Sequence, residues 1–201
     1  MSKITDSLPA TVISGIILTI IMVLVALQTI DDSSMLGPIV SVPEYWAFFD
    51  RWLHIISGVM WIGILWYFNF VQVPTMPKIP DEQKPAIGKH IAPAALFWFR
   101  WGAMATIITG LILALLNGYL LDALALKRGI GYGMWFGIIM WFNVWFIIWP
   151  CQKVALGIVD APAEAKPKAA ARAKMFSRIN TLLSIPMLYA MAGQMHGGFT
   201  F

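Results

Sequence analysis

RWLHIISGVMWIGILWYFNFVQVP, residues 51–74, is the stretch that decides the fold of this chain. After Arg51 it continues for about twenty residues without a charged side chain, which is long enough for a helix to cross a bilayer. His54 lies near the start of this run, and Gly58 follows one helical turn later on the same face. A histidine just inside a membrane helix, beside a glycine that lets a flat molecule approach, indicates a cofactor site.

The composition of the whole chain is that of an integral membrane protein. Of its 201 residues, 59% are hydrophobic and 12% are charged, whereas soluble domains average about 25% charged residues. The apolar residues occur in long runs rather than in alternation, so we expect an all-α fold and not a β-barrel. Cys151 is the single cysteine, which excludes an internal disulfide and a Cys-x-x-Cys-His site for c-type haem.

The apolar segments predict a bundle of five transmembrane helices in a single membrane domain over residues 1–201. The helices are expected at about residues 10–30, 44–73, 94–121, 134–149 and 176–196. We interpret the first as a retained anchor, because its apolar run exceeds that of a signal peptide and no Ala-x-Ala site follows. The predicted connections are a surface loop at Met76–Lys89, a turn at Lys127–Gly133 and a basic connector at Lys153–Lys174. Pro150 is expected to end the fourth helix, and Pro186 to kink the fifth.

Basic residues predict the orientation of the bundle. If the N-terminus is inside, the outer segments hold only Arg51, Lys127 and Arg128. The inner segments then hold Lys3, Lys78, Lys84, Lys89, Lys153, Lys166, Lys168, Arg172, Lys174 and Arg178. Lysine and arginine concentrate on the cytoplasmic side, so we expect the N-terminus inside and the C-terminus outside. Because these residues flank membrane segments, the net charge of +4 does not indicate nucleic-acid binding.

This topology places His54 and His196 near the outer ends of the second and fifth helices. Two imidazoles at one depth could ligate a haem iron from opposite faces, and helix bundles commonly hold cofactors between their helices. Arg51 could pair with a haem propionate, and Gly58 and Gly193 could give the ring room. The sequence therefore predicts a haem b site with His54, His196, Gly58 and Arg51, in which the two histidines bind the iron.

The competing interpretation is that histidines at a membrane interface only bond water or lipid headgroups. His90 lies beside Lys89 in a polar stretch and is expected to be solvated. Met191 and Met195 lie on the outer turns of the fifth helix, where either could replace one histidine as a ligand or simply pack. Arg100 lies within two turns of the inner surface and is expected to extend its side chain toward that surface.

Small and polar residues predict contacts between the helices. Gly102, Thr106, Thr109 and Gly110 form a small-residue face on the third helix that suits close packing. Four asparagines are expected to hydrogen-bond between helices, namely Asn69, Asn117, Asn143 and Asn180.

Three motifs resemble the membrane domain of bacterial membrane-bound urate oxidases. They are RWLHIISGVMWIG at Arg51–Gly63, WFRWGAMATIITG at Trp98–Gly110 and RINTLLSIPMLYAMAGQMH at Arg178–His196. Their order and spacing agree with that family over most of the chain after the first helix. More distantly, the His-then-Gly-then-Trp helix is similar to those of small membrane haem b proteins related to copper-resistance and haem-synthesis membrane proteins.

The resemblance implies an electron-transfer partner. In the urate oxidases a cytochrome c domain typically follows the membrane domain, so here we expect a separate polypeptide, such as a periplasmic cytochrome c, to accept the electrons. Arg100 matches the family's basic position, and His54 and His196 match its outer histidines. Phe97 and Gly102 stand where a histidine and a glutamate are usual in that family, which disfavours urate chemistry.

The leading hypothesis from the sequence is a b-type cytochrome-like protein of the bacterial inner membrane. It would pass electrons from a quinol or a partner enzyme to a periplasmic acceptor, together with other membrane subunits or further copies of itself. The alternative is a cofactor-free accessory subunit of a respiratory or photosynthetic complex, which the small length and the expected lack of an intramembrane carboxylate favour. Urate-oxidase-like oxidation of a purine is a weaker alternative.

The predicted orientation can be tested by labelling. A cysteine placed in Ala163–Ala171, in a Cys151→Ser background, should react with a membrane-impermeant maleimide only after the inner face is opened. Reaction from the outside of intact cells would reverse the orientation and would place His54 at the inner face.

Overall fold

A computed structural model describes residues 7–29 and 43–196, with side chains described for residues 7–25 and 43–194. The described residues form helices and turns with no strand, which confirms the all-α class. Residue contacts divide the chain into two compact units, Met1–Trp46 and Ala47–Phe201. The single domain over residues 1–201 stays a prediction.

The first unit contains helix α1, Leu8–Thr29. Its large apolar side chains from Leu8 to Val25 are exposed on all sides of the helix. Thr11 and Thr19 donate their hydroxyl protons to backbone carbonyls one turn earlier, at Ser7 and Gly15. A helix that is apolar all round and satisfies its own polar groups is suited to contact with lipid.

Five further helices follow α1 within residues 43–196. They are α2, Pro43–Lys78, which begins at the end of the first unit, then α3, Lys84–Leu116, α4, Leu120–Leu124, α5, Ile130–Ala155, and α6, Ala165–His196. Helices α1, α2, α3 and α5 are each long and apolar enough to cross a membrane, as in a multi-pass membrane protein. Helix α6 is basic in its first half, and its crossing and the orientation of the bundle stay predictions.

The connections are shorter than predicted because the helices extend past the apolar segments. The predicted loop at Met76–Lys89 is reduced to residues 79–83, since short helical turns occupy both of its ends. The predicted connector at Lys153–Lys174 is reduced to residues 156–164. Its alanine- and lysine-rich part begins α6, consistent with the high helix propensity of both residues.

Helix α3 ends earlier than predicted, and α5 begins earlier. The end of α3 is Leu116 rather than residue 121, and Gly118 follows with φ +71°. A glycine in this left-handed conformation is a common way for a helix to end. The predicted turn at Lys127–Gly133 is likewise shortened, because α5 begins at Ile130.

The sequence predicts that Pro150 ends α5, but the helix continues through Pro150 to Ala155. Three prolines each stand two residues after a π-helical stretch: Pro74 after Tyr67–Gln72, Pro93 after Ile87–Ile91, and Pro150 after Asn143–Ile148. In a regular α-helix the proline ring collides with the carbonyl four residues earlier and leaves that carbonyl without a donor. The wider π turn, with bonds five residues apart, accommodates the ring, so each helix continues.

The packed core lies where α2, α3, α5 and α6 meet. Its largest fully buried apolar side chains are Trp61 and Leu65 of α2, Phe99 of α3, and Met140 and Val144 of α5. Helix α6 adds Met187 to the same cluster and continues through Pro186 without ending. The kink at Pro186 stays a prediction.

Polar pairs also hold α6 in place. Asn143 donates to the side-chain oxygen of Asn180 at 2.8 Å, and Asn180 donates to the carbonyl of Met140 at 2.9 Å. Asn69 donates to the hydroxyl of Ser177 at 2.7 Å. The predicted inter-helix role is confirmed for these three asparagines. It is wrong for Asn117, which donates to Leu113 in its own helix at the end of α3.

The contact between α4 and α5 generates a stability prediction. A Cβ atom at Gly131 would collide with the backbone carbonyl of Ala123, which has no flexible atoms to move aside. Gly131→Ala should therefore lower the free energy of unfolding by about 1–3 kcal/mol, measured as thermal unfolding in detergent. Gly88→Ala is the matched control, because its nearest neighbour is a side-chain atom of Leu156 at 4.0 Å. Equal free energies of unfolding for the two variants would contradict the close contact between Gly131 and the Ala123 backbone.

Candidate functional site

The site begins with the close approach of α2 and α3. A Cβ atom at Gly102 would lie 3.3 Å from the backbone nitrogen of Trp61, so a side chain at that position would press directly on α2. A Cβ atom at Gly110 would lie 2.9 Å from Cε1 of His54. The two glycines are eight residues apart on one face of α3, with Thr106 between them. The small-residue face predicted from the sequence is therefore the contact face for α2.

His54 is held by α3 through one ring nitrogen. Its Nδ1 lies 3.0 Å from the carbonyl oxygen of Thr106 and 3.1 Å from the hydroxyl oxygen of Thr109. A carbonyl oxygen can only accept, so Nδ1 carries the proton. The Thr109 hydroxyl donates its own proton to the carbonyl of Ala105 at 2.7 Å, which leaves its lone pairs free to accept from Nδ1.

The other ring nitrogen, Nε2, has no hydrogen bond to any described residue. With Nδ1 protonated, Nε2 of the uncharged ring carries a lone pair. Histidines that bind metals usually donate their second ring N–H to a carbonyl or carboxylate, which sets the tautomer and the orientation of the ring. The α3 contacts of His54 have this form.

His54 lines a cavity of about 430 Å³ between α2, α3, α5 and α6. The wall is almost wholly apolar, and it includes Ile55, Gly58, Gly63, Ile107, Gly110, Leu111, Met134, Gly137, Met187 and Met191. A Cβ atom at Gly58 or Gly63 would meet nothing within 4 Å, so both glycines open the wall toward the cavity. The side chains of Ile55 and Val59 on its rim are 56% and 69% exposed, so the cavity opens toward the apolar surroundings of the bundle.

The structure brings together some of the predicted site residues. His54 and Gly58 line the cavity, and so does Met191, the methionine considered as a replacement ligand. Helix α6 extends to His196, but the side chains of His196 and Met195 lie outside the described residues. The predicted ligation by His54 and His196 therefore stays a prediction.

Arg51 lies beyond the cavity, near the turn that follows α3. Burial raises the pKa of the Tyr119 phenol, and the positive charges of Arg51 and Arg128 partly offset that rise. Arg128 lies 5.9 Å from the centre of the Tyr119 ring. Arg51 is half-buried, one turn before His54. His90 is exposed in the first turns of α3, as the sequence predicted for a solvated residue.

Asp50 is the residue that the sequence analysis missed. It lies in α2 one turn before His54, is only 8% exposed, and its Oδ2 is buried without a hydrogen bond to any described residue. Helix α2, which is long and apolar enough to cross a membrane, therefore holds a buried carboxylate that the sequence analysis did not consider. The available signal was the spacing Asp50-x-x-x-His54, which puts both side chains on one face of the helix.

No cluster of three or more His, Cys, Asp or Glu side chains that could hold a metal ion occurs among the described residues. A haem needs only one or two axial ligands from the protein, so His54 can serve such a site without a cluster. No family model, curated protein or solved structure matches this chain.

The geometry of His54 predicts its tautomer. In its uncharged form the ring should carry its proton on Nδ1, because the Thr106 carbonyl cannot donate. Nitrogen-15 chemical shifts of histidine-labelled protein in detergent should show one ring fixed as the Nδ1–H form, and the signal should disappear in His54→Gln. His90 provides the solvated reference. A ring fixed as the Nε2–H form would contradict the hydrogen bond to α3.

Proposed function

We propose that this chain is a membrane-embedded b-type cytochrome-like electron-transfer protein in which His54 is an axial ligand of the haem. The observation that carries the proposal is the state of the His54 ring. Its Nδ1 is held by Thr106 and Thr109 of α3, and its Nε2 is unpartnered among the described residues beside an apolar cavity.

The residues around the cavity suit a flat tetrapyrrole. Gly58, one turn from His54, leaves open space beside the imidazole, where a side chain would block a ring. The cavity volume of about 430 Å³ lies within the usual range of about 300–1,000 Å³ for cofactor and ligand sites. An apolar wall also suits haem, because burial of the cofactor is one of the factors that set its reduction potential.

The second axial ligand in this proposal comes from α6. A Cβ atom at Gly137 would lie 3.8 Å from both Ile107 and Met187, which puts Met187 level with the part of α3 that binds His54. Met191 lies one turn further out and lines the cavity. His196 lies nine residues beyond Met187, which is about 13 Å along a helix. His196 remains the ligand that the sequence favours, and Met191 is the alternative that the position of α6 favours.

The haem would supply one-electron redox chemistry. His54 would hold the iron at a fixed orientation, since its Nδ1 is tied to the α3 backbone, and Arg51 would offer a cation for a propionate at the outer end. The apolar wall would exclude water. We propose a quinol or a partner enzyme as the electron donor and a periplasmic carrier, such as a cytochrome c, as the acceptor.

This function includes a location and a topology. We propose the bacterial inner membrane, with α6 as the fifth span, the N-terminus inside, and other membrane subunits or further copies of the chain as neighbours. Four helices that can cross a membrane support a multi-pass protein. The hydrogen bonds from Asn143 and Asn180 support α6 as part of the same bundle as α5.

The test is the absorption spectrum of the protein purified from cells supplied with haem. Wild type should show a Soret band, and His54→Ala should lose most of the haem or give a five-coordinate spectrum. Gly58→Leu should have a similar effect, because its side chain fills the open space beside the ring. His90→Ala is the control and should match wild type, and each variant must remain monodisperse in detergent.

The second ligand is identified in the same experiment. Loss of the six-coordinate spectrum in His196→Ala, with Met191→Leu unchanged, would assign His196, and the reverse would assign Met191. A wild-type protein without any Soret band would overturn the haem proposal. The cofactor-free accessory subunit would then be the better interpretation of the same fold. Oxidation of purines is the third candidate, and no observation of this structure favours it.

A further inference from the structure

The sequence predicts that Arg100 extends toward the inner surface, and in the structure its guanidinium packs on the indole rings of α5. Its guanidinium carbon lies 3.3 Å from the centre of the Trp149 ring and 5.9 Å from that of Trp145, both on α5. On the same indole, the ammonium of Lys153 lies 5.8 Å from the ring centre. Two cations from different helices therefore share one aromatic ring.

Neither cation is neutralised by the described part of the chain. The ion pairs found there join Lys84 to Asp81 and Lys127 to Asp122. The Nε of Arg100 is buried and has no hydrogen-bond partner among the described residues. A buried donor on a charged group costs free energy unless an acceptor meets it. Two like charges on one ring also repel unless an anion lies between them.

The position of this cluster points to a lipid headgroup. Trp149 and Lys153 lie in the last two turns of α5, which ends at Ala155. Tryptophan and basic residues are both enriched at this level of membrane helices, beside the headgroups. Phosphate oxygens accept two parallel hydrogen bonds from the N–H groups of a guanidinium especially well.

An apolar surface continues from the cations along α3. Trp101 packs edge-on against Trp145, with ring centres 5.5 Å apart, and Phe97 packs against Trp101 at 6.4 Å. Trp101 is 48% exposed and Phe97 is 47% exposed. An acyl chain attached to a headgroup at Arg100 can lie along these rings, which a free anion would leave uncovered.

We propose that Arg100 and Lys153 bind the phosphate of a phospholipid, with the Trp149 indole beneath the guanidinium and one acyl chain against Trp101 and Phe97. The site is formed by residues of α3 and α5, and it uses neither His54 nor the cavity. It is independent of the haem proposal, and either can fail without the other.

The test is native mass spectrometry of the full chain in a mild detergent, titrated with phosphatidylglycerol. Wild type should retain one lipid. Lys153→Gln should weaken its retention about tenfold, the effect expected for losing a charge-assisted contact. Arg100→Gln should weaken lipid retention at least as much as Lys153→Gln does. Arg100→Lys should give a retention between wild type and Arg100→Gln, because an ammonium keeps the charge but lacks the two parallel N–H donors of a guanidinium.

Arg128→Gln is the matched control, because Arg128 is also a cation near an aromatic ring, at 5.9 Å from Tyr119, but lies after α4. It should retain the lipid as wild type does. If Arg100→Gln does not fold, Lys153→Gln decides the question from the α5 side. Unchanged retention in Lys153→Gln and Arg100→Lys together would overturn the proposal.

Two further titrations separate the possible sources of the interaction. Diacylglycerol, which lacks the phosphate, should bind far more weakly than phosphatidylglycerol, and equal binding would show that the acyl chains alone are recognised. Inorganic phosphate at millimolar concentration should not displace the lipid. Full displacement would mean that the site takes a free anion and would also overturn the proposal.

Discussion

The close contact between α2 and α3 is the constraint on which the candidate site depends. In a bilayer no hydrophobic force drives helices together, so small residues that allow close packing and hydrogen bonds between helices carry more of the association. Gly102 lets the backbone of Trp61 approach, and Gly110 gives the His54 ring its place. At this separation the imidazole reaches a main-chain carbonyl, that of Thr106, as well as the hydroxyl of Thr109. The packing of the two helices therefore also determines which ring nitrogen is left to bind something else.

Features that depend on local spacing could be predicted from the sequence, as could the inter-helix role of three asparagines, but most features that depend on tertiary contacts could not. The small-residue face of α3 and the shared face of His54 and Gly58 follow from helical periodicity alone. The helix ends were predicted from proline and glycine rules that assume regular α geometry. The π-helical stretch at Asn143–Ile148 has no comparable sequence signal, so Pro150 was expected to end a helix that in fact continues to Ala155. Asn117 shows the same limit, because a helix-end asparagine and an inter-helix asparagine look alike in sequence.

The cavity shows the same difference between features set by local spacing and features set by tertiary contacts. Two of its walls come from α5 and α6, whose contribution through Gly137 and Met187 depends on how those helices pack and not on any motif. Asp50 was overlooked for a different reason. The charge-free run was counted from Arg51, so the carboxylate just before it was not considered, although it is only 8% exposed. Burial of a charged residue at a helix end is decided by its neighbours, which a single sequence does not display.

The unpartnered Nε2 of His54 limits what can fill the cavity. A polar atom that faces an apolar space without a hydrogen bond is unfavourable, so a ligand that satisfies Nε2 is favoured over one that does not. A lipid chain would fill the volume but leave the lone pair of Nε2 without a partner. The Thr109 hydroxyl already donates to Ala105, and an ionised Asp50 can only accept hydrogen bonds. Neither side chain can therefore donate a hydrogen bond to the lone pair of Nε2. The iron of the proposed haem would meet both requirements, because it would accept the lone pair of Nε2 while the macrocycle would fill the space beside Gly58.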